Sequence, residues 1–164
     1  MAYWLFKTEP QAFSIEDLAL RPDQTEPWDG IRNYQARNLL RDQVQTGDQL
    51  FIYHSSCPEP GIAGIARVVR EAYPDHTQFN PESHYYDPKS SEENPRWLMV
   101  DISHVETFNN KVSLDDLRNH AELAQMLLLQ RGQRLSIQPV ENTHFTAVLK
   151  VCGASTKLPR TRKK

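Results

Sequence analysis

The run Trp28-Asp29-Gly30-Ile31-Arg32-Asn33-Tyr34-Gln35-Ala36-Arg37-Asn38 sets an indole, two guanidinium groups and several amides around one glycine. Side chains of these types hold a flat ligand that has a hydrogen-bonding edge. An indole face stacks on a nucleobase with a gain of ~1–3 kcal/mol per base, while guanidinium and amide groups supply forked donors and acceptors. A second cluster, Tyr53-His54-Ser55, closes an apolar run and would form the opposite wall. The chemistry on offer is recognition of a base, since no clear pair of nucleophile and general base stands in the chain.

Each of these residues also has a plainer role open to it. Trp28 either stacks on a base beside Gly30 or packs in the core, where tryptophan is well buried on average. Arg32 and Asn33 either read a base edge or sit at the start of a helix, where unpaired N–H groups attract phosphate. Asn33 is also a helix cap, and Arg32 and Arg37 are also candidates for surface ion pairs. Strand alternation sends Tyr53 and Ser55 to one side and His54 to the other, where His54 would bond a backbone carbonyl. Trp97 and Arg134 join the candidates because strand ends near the Ser55 turn would bring them close; otherwise they are core and surface.

The elements that must carry these groups follow from periodicity. Tyr3 to Lys7 alternates as a strand that ends near Pro10, and Ser14 with Asp17 caps a short helix over 15–20. A polar loop from Pro22 to Pro27 delivers Trp28. Asn33 then caps a helix from Tyr34 to about Val44, which Gly47 ends. Strands follow over 48–54 and 62–69, with Gly61 and Gly64 permitting close backbone approach. Tyr73 to Pro95 reads as a long surface loop with room for a short helix. A long central strand spans 97–108, with Leu98, Val100, Ile102 and His104 opposite Trp97, Met99 and Asp101. Ser113 and Asp116 form another capping box, 122–129 reads as a second short helix, 135–140 as a strand, and 142–152 as a last helix stopped by Gly153.

Composition narrows the function classes. The 164 residues suit one domain, and 38% hydrophobic with 24% charged residues lies in the globular range. A net charge of −2 disfavours strong sequence-independent attraction to a nucleic-acid backbone. The ending Pro159-Arg160-Thr161-Arg162-Lys163-Lys164 concentrates four positive charges and reads as a flexible arm, either solubilising or phosphate-attracting. No apolar run approaches the ~20 residues that span a bilayer, and no secretory signal is evident, so the chain reads as cytoplasmic, or nuclear in a eukaryote. Cys57 and Cys152 lack metal or redox spacing. Asp75, His76, His84 and Asp87 match no compact zinc motif, so neither a metal nor a cofactor is expected.

Several multi-residue motifs occur together: Trp4-Leu5-Phe6-Lys7-Thr8-Glu9-Pro10, Trp28-Asp29-Gly30-Ile31-Arg32-Asn33, Tyr53-His54-Ser55 and Arg134-Leu135-Ser136-Ile137-Gln138-Pro139. In this order, and over nearly all of the chain before the tail, they resemble the EVE domain family, related more distantly to the YTH readers of methylated adenine. The resemblance implies an α+β, PUA-like fold: a small curved β-barrel of five or six strands flanked by short helices, over 1–153, with 154–164 as the basic tail. It implies an aromatic cage for a modified base, and neither an enzyme activity nor a particular base; the chain is read as a non-enzymatic monomer whose partner is DNA or RNA carrying a modified cytosine or methyladenine. The residues expected to bind it are Trp28, Arg32, Asn33, Tyr53, His54, Ser55, Trp97 and Arg134. PUA-like folds also include ASCH-type amidohydrolases that use lysine, threonine and glutamate on modified cytidines, which makes Lys7, Thr8 and Glu9 the alternative, catalytic set. Strand alternation would place Lys7 and Glu9 opposite Thr8 unless Pro10 breaks the pleat.

Overall fold

The computed structural model describes residues 1–156, so the basic ending from Pro159 to Lys164 lies outside the described residues. Strand β1 (Tyr3–Thr8) is apolar on both faces, as a strand covered on both sides must be. It pairs in parallel with β3 (Gln49–His54) and antiparallel with β6 (Ile137–Val140). The other strands are β2 (Thr25–Pro27), β4 (Gly61–Pro74) and β5 (Leu98–Ser113), and the sheet runs in the order β2-β5-β4-β3-β1-β6. Helices α1 (Ile15–Leu20), α2 (Tyr34–Asp42), α3 (Leu114–Arg118) and α4 (Asn142–Cys152) flank it. The caps are those expected: capping boxes at Ser14–Asp17 and Ser113–Asp116, and Asn33 accepting from the Ala36 amide at 3.0 Å. Among the described residues no helix is long and apolar enough to cross a membrane.

Each face of the sheet has its own core. Trp4, Phe6, Leu50 and Ile52 meet Ile15 and Leu18 of α1, Ala36 and Leu40 of α2, and Trp28. Tyr3, Leu5, Phe51 and Tyr53 face the other way and meet Phe145, Val148 and Leu149 of α4. There the Phe145 ring stacks on Phe51 at 4.1 Å and on Tyr3 at 4.4 Å. Burying each such large apolar side chain contributes ~1.5–3 kcal/mol, which holds the sheet between its helices.

Irregular register bends this sheet. In β4, Ile62 and Ile65 belong to one core and Ala63, Ala66 and Val68 to the other, because pairing with β5 slips between Ile62 and Gly64 and again between Ile65 and Ala66. Such bulges bend the strand and increase its twist. Gly64 sits at the tightest point: a Cβ there would lie 2.3 Å from the Glu106 carbonyl oxygen and 2.8 Å from Ile15 Cγ1. The bending brings the sheet's far ends together, so that Trp28, one residue past β2, has its ring centroid 5.8 Å from that of Phe6 in β1. Among the described residues no pairing joins β2 to β6, so the α+β sheet of six strands curls without the hydrogen bonds that would close a barrel.

Three local expectations change. The Pro22 to Pro27 loop includes β2, three residues too short to show alternation, which pair with Asp101, Ile102 and Ser103 of β5. The expected helix over 122–129 is two 3₁₀ turns, because Leu123, Met126 and Leu128 are buried at spacings that no single α-helical face provides. The long loop after β4 is pinned: the Gln78 amide donates to the Asp75 and Trp97 carbonyls at 2.6 and 2.8 Å, and its oxygen accepts from the Trp97 amide and the Ser90 hydroxyl. At the other end, Glu106 accepts from the Ser155 and Thr156 amides.

Candidate functional site

Where the two ends of the sheet approach, they leave a cleft of about 590 Å³. One side is Glu26, Pro27, Trp28, Asp29 and Gly30, on β2 and its continuation. The other is Lys7, Thr8 and Glu9 at the end of β1, Ser55 just past β3, and Arg134 with Ser136 on the approach to β6. Phe13 closes one margin, and His84 and Tyr85 of the long loop close another. Gly30 is what lets Tyr85 in. Its φ is +81°, and a Cβ there would lie 2.6 Å from Tyr85 Cζ.

Trp28 is only 7% exposed and belongs to the core, with Phe6 tilted against it and Phe13 edge-on at 6.0 Å. Its remaining surface lines the cleft. The indole N–H groups of Trp4 and Trp97 are bound to Asp48 at 2.9 Å and Asp87 at 2.7 Å, whereas that of Trp28 has no partner among the described residues. It is not sealed from solvent, since among the described residues the one buried side-chain polar atom left without a partner is Gln49 Oε1.

The polar lining is of both signs. Burial pushes the Lys7 ammonium below its usual range. Burial raises the Glu26 carboxyl, with Asp29 and Asp101 adding and Arg21 opposing. Burial also raises the Asp29 carboxyl, helped by Asp75 and opposed by His76 and Arg32. The lining therefore combines an aromatic surface with carboxylates on the β2 side and, on the other, the cationic Lys7 and Arg134 beside Glu9.

The expected residues divide. Trp28, Ser55 and Arg134 line the cleft. Arg32 does not, and its five N–H donors are spent on the Tyr85 carbonyl, the Ile31 carbonyl, Asp75 and Thr77. Asn33 is committed to capping α2. Tyr53 lies in the opposite core with α4. His54, expected to bind the base or otherwise a backbone carbonyl, faces a separate groove behind the 8–13 turn, and its Nε2 accepts from the Ile15 amide at 3.1 Å. Trp97 is clamped between the Tyr34 ring at 4.8 Å and the Arg32 guanidinium at 5.5 Å, away from the cleft. Ser55 parts from Tyr53 because the strand ends at His54; the Ser55 amide donates to the Thr8 carbonyl, and Ser56 turns the chain with φ +53°.

Lys7, Thr8 and Glu9 all reach the cleft, because the chain turns after β1 and the Ala12 and Phe13 amides donate to the Glu9 carbonyl. The Thr8 hydroxyl donates to the Phe13 carbonyl at 2.7 Å. Asp29, Glu26, Phe13 and Tyr85 were not singled out from sequence. Asp29 lay inside the leading motif, and Gly30 was the signal that something packs closely there; nothing local marked Tyr85, which arrives from 55 positions away.

The EVE domain model matches residues 2–151. The chain belongs to the EVE domain family. It is 46% identical over 165 residues to human thymocyte nuclear protein 1, covering 90% of this chain and 72% of that protein. A crystal structure from Pseudomonas putida superposes with a TM-score of 0.87 at 49% identity, over 92% of this EVE domain chain and 99% of the other. The crystal structure of human THYN1 in complex with 5-methylcytosine-containing DNA also gives 0.87, at 44% identity, over 95% and 100%. The YTH domain of Zygosaccharomyces rouxii MRB1 shares the fold alone, with a TM-score of 0.55 at 10% identity over 98% and 90%.

Proposed function

We propose that this EVE domain is a non-enzymatic reader that takes one modified base, flipped out of DNA or unpaired in RNA, into the cleft floored by Trp28. The carrying observation is the cleft itself: an indole with a free N–H, set between acceptors and cationic donors in the gap of a curled sheet. A human relative crystallised with 5-methylcytosine-containing DNA makes modified cytosine the first ligand to test. Trp28, Ser55 and Arg134 are the binding residues retained from the sequence. A buried methyl contributes on the order of 1 kcal/mol, so selectivity for the modification needs a close wall, a role for Tyr85 and Phe13.

The test is a titration of short single-stranded DNA and RNA, carrying cytosine, 5-methylcytosine, adenine or N6-methyladenine, followed by anisotropy. Loss of stacking at ~1–3 kcal/mol predicts a 5- to 150-fold weaker Kd in Trp28→Ala. Because truncating a buried tryptophan costs ~3–5 kcal/mol of stability, Trp28→Phe serves as the folded control and should retain part of the affinity. Unchanged affinity in folded variants of both kinds would overturn the assignment.

A second reading has one observation in its favour, the meeting of Lys7, Thr8 and Glu9 on the same cleft. It makes the protein a hydrolase of a modified nucleoside. Incubation with N4-acylated cytidines supports it if product forms and disappears in Lys7→Ala; absence of product with the wild type removes it.

A further inference from the structure

The two sides of the cleft differ in charge and come from opposite ends of the sheet. Glu26 and Asp29 stand on β2 and its continuation, and Lys7 and Arg134, together with the acid Glu9, on the end of β1 and the approach to β6. The two acids of the first side differ in how far they are occupied. Glu26 Oε2 lies 3.2 Å from Arg21 Nε. Asp29 is exposed, and beyond its own backbone amide no donor reaches its carboxylate among the described residues. The donors beside it in sequence are already taken: the Gly30 amide and an Arg32 N–H both go to Asp75 Oδ2, at 2.8 and 3.0 Å. An exposed carboxylate one residue from the Trp28 indole, with its own amide as its one protein donor among the described residues, can exchange solvent for the N–H of a ligand.

On the reading that a base enters this cleft, we propose that Asp29 accepts a hydrogen bond from the exocyclic amine of that base, so that the cleft selects 4-aminopyrimidines over 4-ketopyrimidines. Cytosine presents an N4–H₂ donor where thymine presents the O4 acceptor, and carboxylates pair with the former. Thymine would set O4 against the carboxylate, acceptor against acceptor, with both groups desolvated. The ring carbonyl shared by the two bases falls toward the cationic side, where Lys7 and Arg134 donate equally to either. Discrimination at position 4 therefore belongs to Asp29, and the methyl contributes nothing to it because 5-methylcytosine and thymine carry the same one.

That pair is the test. Kd is measured for two single-stranded DNAs that differ only in one central 5-methylcytosine or thymine, with wild type, Asp29→Asn and Asp29→Ala, each checked for folding by circular dichroism. A charge-assisted hydrogen bond predicts a wild-type preference for 5-methylcytosine of about tenfold or more. Asp29→Asn keeps the shape and adds an N–H₂ that can face O4, so its preference should fall below about twofold or reverse. Asp29→Ala should lose affinity for 5-methylcytosine and gain some for thymine, whose O4 no longer faces a carboxylate. A variant Asp29→Asn that keeps the wild-type preference overturns the proposal, as does a wild type that binds both strands equally. In that last case the cleft reading survives if Trp28→Phe still weakens both. A wild type that binds neither strand overturns this proposal, and the cleft reading is then decided by the RNA and methyladenine strands of the first titration.

Discussion

Removing the Arg32 guanidinium should cost stability, because this side chain ties the long loop to the start of α2 and does not itself line the cleft. Its Nε and Nη2 donate to the Tyr85 carbonyl at 3.0 and 2.7 Å, Nη2 also to Thr77 Oγ1 at 3.1 Å, and Nη1 to the Ile31 carbonyl and Asp75 Oδ2 at 2.9 and 3.0 Å. Asp75 is completely buried. Stripping one partner from a buried ion pair costs ~3–5 kcal/mol. Here the carboxylate keeps the Gly30 amide, the Thr77 amide and the Thr77 hydroxyl, and Arg32 is itself partly exposed, so about 2–4 kcal/mol is expected for Arg32→Ala. At ~2–4 °C per kcal/mol for a chain of this size, Tm should fall by roughly 5–15 °C. Arg32→Lys should recover only part, since an ammonium cannot reproduce the planar fork.

The same substitution has a pH signature. Burial alone would raise the Asp75 carboxyl, but the Thr77 hydroxyl, the Gly30 amide and Arg32 outweigh it and hold the group below its usual range. A carboxyl depressed in the folded state adds stability above its unfolded value, ~3.9, and that contribution is lost as pH falls through the folded value. Without Arg32 the depression shrinks, so acid unfolding should begin at a higher pH than in the wild type. Urea unfolding followed by circular dichroism between pH 3 and 7 measures both effects. A variant with wild-type stability that has lost base binding would refute the reasoning, because the guanidinium would then be reading the ligand.

Two further substitutions test how the site is built. Gly30→Ala forces an L-residue to φ +81°, at ~1–2 kcal/mol, and drives its Cβ into the Tyr85 ring; urea unfolding should show at least that loss and base affinity should drop with it, whereas wild-type stability would mean the turn and ring are not held as described. His54→Gln keeps an acceptor for the Ile15 amide but removes a group whose pKa is lowered by burial and by Lys111, against Glu16 and Asp17. Its neutral form supports the fold above the unfolded value of ~6.5, and that support fades as pH falls below it, so the decline in wild-type stability from pH 7 to 5 should be shallower in the variant. His104, lowered by burial in the same sense, keeps the slope from vanishing; an unchanged slope would count against a buried neutral His54.

The amino-acid sequence by itself determined the local events. Capping at Ser14, Asn33 and Ser113 depends on a side chain reaching an amide three residues on, so a few neighbouring positions suffice to predict it. Alternation in Tyr3 to Thr8 and Gln49 to His54 likewise marked the strands, and the motif around Trp28 marked one wall of the cleft. Tertiary structure decided which side chains share a space. Tyr53 and Ser55 were placed together by alternation, yet Tyr53 joins the core on the opposite face and Ser55 enters the cleft, because the strand ends between them and Ser56 turns the chain. Arg32 looked free to read a base until the loop from 75 to 85 folded back and supplied acceptors for four of its five donors, the Ile31 carbonyl taking the fifth. The cleft exists only because bulges in β4 and β5 curl the sheet and bring β2 to β1, strands that have three others between them in the order; no run of neighbouring residues records that meeting, since it depends on register across strands.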